Sequence, residues 1–208
     1  MTESRSAVAW GLVAAHAAEA SRRVSVADVC AVAVRSTGVT GGWIAAAGGQ
    51  EPDFVLCVTD PVAEQLAELQ LTLGEGPCHD VLSSAAPVLA ADLDDEHSGK
   101  RWPGFAAQAR LLGAAAIFAF PLMIGAIRAG VMGLYRSSPG PLATERFGDG
   151  LILADMATVL LLDEANHDGN GYDNDGSVLN ARPVLDGQSP DLVLHRAKID
   201  QATGMLTV

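Results

Sequence analysis

The chain has 208 residues, 49% of them hydrophobic, enough to bury one substantial core and at most two. A formal net charge of −12 and an isoelectric point near 4.6 exclude unaided binding of a phosphate backbone, which requires a basic patch. Three cysteines, Cys30, Cys57 and Cys78, make an odd set without metal-type spacing, which excludes a disulfide framework and fits reduced thiols in a cytoplasm.

Val8, Leu12 and Ala15 share a face of an N-terminal helix. His16 and Glu19 interrupt the apolar run there, so it reads as an amphipathic helix rather than a secretion signal. A second helix follows a capping-box pattern of Ser25 and Asp28, buries Val26, Val29, Cys30, Ala33 and Val34, and ends at Gly38. Residues 42–46 and 54–59 are short apolar strands separated by Gly48, Gly49 and Pro52, which predicts a hairpin with a long turn. Asp60 and Pro61 then open a helix whose buried face is Val62, Leu66 and Leu69.

A glycine-rich loop over residues 74–80 leads to a short helix, a strand at 88–91 and a helix at 102–112. Residues 113–135 are long enough to span a bilayer, but Pro121, Gly125, Arg128, Gly130 and Gly133 divide them into two buried strands, 114–122 and 127–135. Thr144 caps a last long helix, in which Phe147, Leu151, Ala154, Thr158 and Leu161 form one stripe and Ile152, Met156, Val159 and Leu160 another. A helix apolar on two faces needs two partners: the sheet covers one, and the N-terminal helix of a second subunit is expected on the other, giving a homodimer. The organisation expected is a domain over residues 1–165, an acidic linker over 166–190 with Arg182 as its single cation, and a helix opening over 191–208, striped by Leu192, His195, Ile199, Ala202 and Leu206.

Two constellations invite chemistry. In Gly74-Glu75-Gly76-Pro77-Cys78-His79, backbone N–H groups at a helix start could hold an anion and lower the Cys78 pKa; alternatively the glycines make a tight turn, Pro77 starts the helix and Cys78 is a small buried hydrophobe. Asp92, Asp94, Asp95, Glu96 and His97 cluster, but without the glycine turn or the later bidentate Glu of a calcium loop they read as a solvated loop. His16, His79, His97, His167 and His195 are scattered, so no metal site and no catalytic set of Ser, His and Asp is assigned.

Leu73-Gly74-Glu75-Gly76-Pro77-Cys78-His79-Asp80, Phe120-Pro121-Leu122 and Gly130-Val131-Met132-Gly133-Leu134-Tyr135-Arg136 resemble the GAF domains of actinobacterial GAF–ANTAR transcription antitermination regulators. That resemblance spans residues 7–163, and Ala197-Lys198-Ile199-Asp200-Gln201-Ala202-Thr203-Gly204-Met205 resembles the start of the first helix of the ANTAR module, which binds RNA. It implies an α/β (α+β) fold with a central, mostly antiparallel sheet flanked by helices. It also implies a sensor rather than an enzyme, with output through ANTAR and a small-molecule ligand in a cleft between sheet and helices. Trp43, Cys57, Cys78, His97, Trp102, Phe105, Phe118 and Phe120 are the candidates to line that cleft; the ligand and any cofactor are left open. Where that family carries a polar turn between the closing strands, this chain has Met123-Ile124-Gly125-Ala126-Ile127, and Ile124 and Ile127 are expected to contact a partner subunit or the tail. Competing readings are a GAF-type reductase of free methionine sulfoxide with Cys57 or Cys78 as nucleophile, and a ligand-free dimerisation scaffold.

Overall fold

A computed structural model describes residues 4–48 and 51–169. In chain order it contains α1 (Arg5–Glu19), α2 (Val26–Thr37), β1 (Gly41–Gly48), β2 (Glu51–Val58), α3 (Pro61–Leu73), α4 (Pro77–Ser84), β3 (Val88–Ala90), α5 (Glu96–Arg101), α6 (Pro103–Leu111), β4 (Ala116–Ile124), β5 (Ile127–Arg136) and α7 (Thr144–Gly169). The strands form one sheet in the order β2-β1-β5-β4-β3, and every pairing is antiparallel, as expected.

Side chains of successive strand residues point to opposite faces, so the sheet separates two cores. On one face Trp43, Ala45, Ile117, Ala119, Val131 and Tyr135 meet Leu66 of α3, Val81 and Leu82 of α4 and Phe105 of α6. On the other, Ile44, Phe118, Phe120, Leu122, Met132 and Leu134 meet Val13 of α1, Val29 and Ala33 of α2, and Leu153 and Ala157 of α7. Gly133 is what allows β5 to pass under Trp43, because a Cβ there would run into the indole ring. Asp60 fixes the start of α3 through Oδ1, which accepts hydrogen bonds from the N–H groups of Val62 and Ala63 at 2.9 Å. The same oxygen accepts the Tyr135 hydroxyl at 3.0 Å and so ties that helix to β5.

Three expectations need correction. The β1–β2 turn is short, because the strands reach Gly48 and Glu51; two register shifts absorb Pro52 and the glycines that sequence alone reads as a long loop. The expected helix at 102–112 starts at Pro103, since a residue before proline is pushed out of the helical region, and Trp102 sits at φ −134° and ψ 69° between α5 and α6. The helix marked by Val8, Leu12 and Ala15 forms as expected, with these residues exposed and Val13 and Ala17 packed inward. Thr144 is the first residue of α7 rather than its cap, and α7 continues to Gly169, into the stretch expected to be linker. The rest of that linker and the helix expected over 191–208 lie outside the described residues.

Candidate functional site

The short edge strand β3 and the helix α5 border a half-open cleft of about 370 Å³. Its lining is Ser84 at the end of α4, residues 87–91 along β3, Asp95, His97, Ser98 and Arg101 on and before α5, and Trp102. The volume lies within the range of small-molecule pockets. Pro87 leads the chain into β3, and Leu89 leaves its side chain 45% exposed there.

The polar wall of this cleft is fixed by its neighbours. Asp95 caps α5, accepting the Ser98 N–H at 2.6 Å, and that bond holds its carboxyl below the usual range. The buried Ser98 hydroxyl donates to the Asp92 carbonyl at 2.7 Å. Arg101 places its guanidinium 4.9 Å from the Trp102 ring centroid and its Nε 2.5 Å from Asp80 Oδ2, the oxygen that also accepts the Trp102 indole N–H at 3.0 Å. Asp80 therefore links the cleft to α4 and, through it, to the glycine-rich loop.

In that loop the structural reading holds. The buried Gln70 of α3 accepts the Cys78 N–H on Oε1 at 2.9 Å, and its backbone carbonyl is bonded by His79 Nε2 at 2.9 Å. Glu75 Oε1 accepts the Phe105 N–H at 2.6 Å and so holds the start of α6. Cys78 is buried, and burial pushes its thiol up to about 12, opposite to the depression that a redox-active thiolate at a helix start requires.

Of the residues anticipated for the cleft, His97 and Trp102 line it. Trp43, Cys78 and Phe105 belong to the closed core behind it. Cys57, Phe118 and Phe120 pack on the opposite face of the sheet: in β4 the aromatic positions alternate with Ile117 and Ala119, and it is the latter pair that faces the cleft side. Ser84, Ser98, Arg101 and the β3 edge were not anticipated; Arg101-Trp102-Pro103 was the available signal, a cation and an aromatic held at a forced break. The acidic cluster is spent on local contacts: Asp92 accepts the Asp94 N–H at 2.8 Å, Asp94 pairs with Arg110 at 2.6 Å and Glu96 with Lys100 at 2.5 Å.

A second feature is apolar. Trp10 of α1 and Ile152, Met156 and Val159 of α7 line a groove of about 160 Å³ with Ser6 and Asp155, and Val8, Leu12, Leu151 and Leu162 are exposed on the same two helices. Among the described residues, no helix is long and apolar enough to cross a membrane.

Comparison with known proteins adds the family. The GAF domain profile matches residues 19–151. No curated protein matches the sequence. Among solved structures, the GAF domain of a phosphoenolpyruvate-protein phosphotransferase from Coxiella burnetii is 15% identical, with a TM-score of 0.57 over 80% of this chain and 99% of that one. The GAF-B domain of DevS from Mycobacterium smegmatis is 22% identical, with a TM-score of 0.50 over 69% and 95%. The free methionine-R-sulfoxide reductase from Neisseria meningitidis is 12% identical, with a TM-score of 0.52 over 80% and 96%. At such identities the neighbours show a shared fold, while the profile covers most of the chain: this protein belongs to the GAF domain family, whose members are generally signal-sensing regulatory domains.

Proposed function

We propose that this protein is the sensor part of a cytoplasmic transcription antitermination regulator, in which a small polar ligand held between β3 and α5 sets the activity of an RNA-binding ANTAR module. The observation that carries the sensing half is the cleft itself. Its polar wall is linked by Arg101, Trp102 and Asp80 to α4, so a ligand that draws Arg101 away from Asp80 changes how α4 is held. A ligand shifts such an equilibrium only by its differential affinity for the two arrangements, and the exchange of Arg101 partners is a physical source of that difference. The output half rests on residues 197–205, which resemble the opening of an ANTAR helix. With a net charge of −12, RNA contacts belong to that module and not to the sensor.

The alternative of a thiol-dependent reductase is less well supported. Its nucleophile would have to reach the cleft, whereas Cys78 lies in the closed core with its pKa raised and Cys57 packs on the other side of the sheet. The sensor works as a homodimer in this reading, with α1 and α7 of each copy burying the exposed apolar residues of the other.

The test is a thermal-shift screen of polar metabolites against the wild type and Leu89→Arg, which puts a bulky cation at an exposed residue of the cleft lining. Hits that stabilise the wild type and leave Leu89→Arg unmoved support the reading. Hits that stabilise both equally put the ligand elsewhere, and turnover of methionine sulfoxide with a thiol, lost in Cys57→Ser, would favour the enzyme.

A further inference from the structure

The two core cysteines on the α1, α2 and α7 side of the sheet come together through an irregularity in β2. In an unbroken strand Val55 and Cys57 point the same way, and Leu56 points the other. Here Ile44 pairs with Cys57 but Ala45 with Val55, so Leu56 is an extra residue opposite β1. A bulge of this kind re-aims the side chains beside it. Accordingly Val55 packs with the α3, α4 and α6 core, whereas Leu56 and Cys57 both pack with the opposite core. There Cys57 shares a core with Cys30 of α2, the helix that packs over β1 and β2, and the two thiols influence each other's titration. Cys30 is buried and Cys57 half-buried, so one partner is shielded and the other open to a small oxidant.

We propose that Cys30 and Cys57 are a peroxide-oxidisable dithiol, which closes to a disulfide joining α2 to the edge strand β2. Cys57 loses its proton to solvent and its sulfur attacks a hydroperoxide oxygen; the O–O bond breaks, leaving a sulfenic acid and releasing water. The Cys30 sulfur then attacks the Cys57 sulfur, the S–O bond breaks, and the leaving hydroxide takes the Cys30 proton to form a second water. Two thiols are thereby oxidised by two electrons and hydrogen peroxide is reduced to water. The neighbouring Cys57 sulfur, then burial and the Asp60 carboxylate, raise the Cys30 pKa, so the half-buried Cys57 is the thiol that meets the oxidant first. Cys78, in the other core, has no part in this.

The test treats the 208-residue chain with hydrogen peroxide, blocks remaining thiols with iodoacetamide in denaturant and digests it with trypsin and a Glu-specific protease. The expected result is an intact mass lower by two hydrogens, a dithiothreitol-reversible link between the peptides 24–35 and 36–64, and full alkylation of Cys78. In Cys30→Ser the reaction stops at a sulfenic acid that dimedone traps on Cys57. Should that buried variant not fold, Cys57→Ser carries the test, leaving Cys30 alkylatable after peroxide. A Cys57 that proceeds to sulfinic acid with Cys30 still free, or bridges that involve Cys78 or two chains, would overturn the proposal.

Discussion

The Asp28 carboxylate is fully buried on α2 and accepts hydrogen bonds from His16 Nδ1 at 2.7 Å, both terminal nitrogens of Arg22 at 2.6 Å, and the Ser25 N–H and hydroxyl at 2.9 Å. Burial alone raises its pKa, but the bonds from His16, Ser25 and Arg22 outweigh burial and the net shift is downward. Asp28→Asn is expected to cost about 3 kcal/mol, the scale of breaking a buried ion pair. Because the folded pKa is the lower one, this stabilisation is fully present above the unfolded-state value of about 3.9 and is lost as pH falls through the folded value. Melting curves across a pH series should therefore show a constant gap between wild type and Asp28→Asn near neutrality, closing below about pH 4. A gap unchanged into strong acid would mean that shape, not charge, is what Asp28 supplies. Gly76 is a second residue with a sharp prediction. Its φ is +133°, and a Cβ there would lie 2.5 Å from Gln70 Oε1. Gly76→Ala should lose about 2 kcal/mol in urea unfolding, and Gln70→Ala a comparable amount by orphaning the buried Cys78 N–H. Capping pairs such as Ser25 with Asp28 were legible in sequence because both partners sit within one turn. The Gln70 bond was not, since it joins residues eight apart across a loop whose path only the fold defines.

Most elements were legible in order, because helix stripes, strand runs and prolines each act locally; what the sequence hid were places where neighbours decide. β2 looked short because Pro52 and two glycines imitate a turn, yet register shifts carry the strand past them. For α1 the period was legible but not the side that meets the core: Val8 and Leu12 are larger than Ala17, yet Val13 and Ala17 pack inward. That choice has a dynamic consequence. With only Val13 and Ala17 fully buried, α1 is held to the body by a narrow apolar strip and by the His16–Asp28 bond. Hydrogen exchange in dilute protein should therefore open the amides of α1 together and sooner than those of α2, which buries Val26, Val29, Cys30, Val32 and Ala33. Asp28→Asn should speed exchange in α1 more than in α7. If α1 exchanges no faster than α2, the body holds it through contacts beyond these.

At the scale of the whole molecule, surface charge and apolar surface pull against each other. Two copies with a net charge of −12 repel, while the exposed residues of α1 and α7 gain by burial against a second copy. Salt screens the repulsion over a Debye length of about 10 Å at 0.1 M and leaves the apolar gain in place. Dimerisation measured by sedimentation should therefore tighten as salt rises, the reverse of a contact built on ion pairs, and protection of the α1 amides should grow with protein concentration in parallel. Val159 is 55% exposed on α7, so in the dimer we propose Val159→Asp puts a charge into the contact without disturbing the core and should make the protein monomeric. Leu111→Asp is the control, since Leu111 is 81% exposed at the end of α6, on the other side of the sheet, and should change nothing. The apolar hairpin tip gives a distinguishable rival outcome. Ile127 is 55% exposed there, and dissociation by Ile127→Asp with Val159→Asp still dimeric would move the interface from the helices to the β4–β5 turn. Dissociation by Val159→Asp alone would assign the contact to α7 and leave the tip free for a different partner.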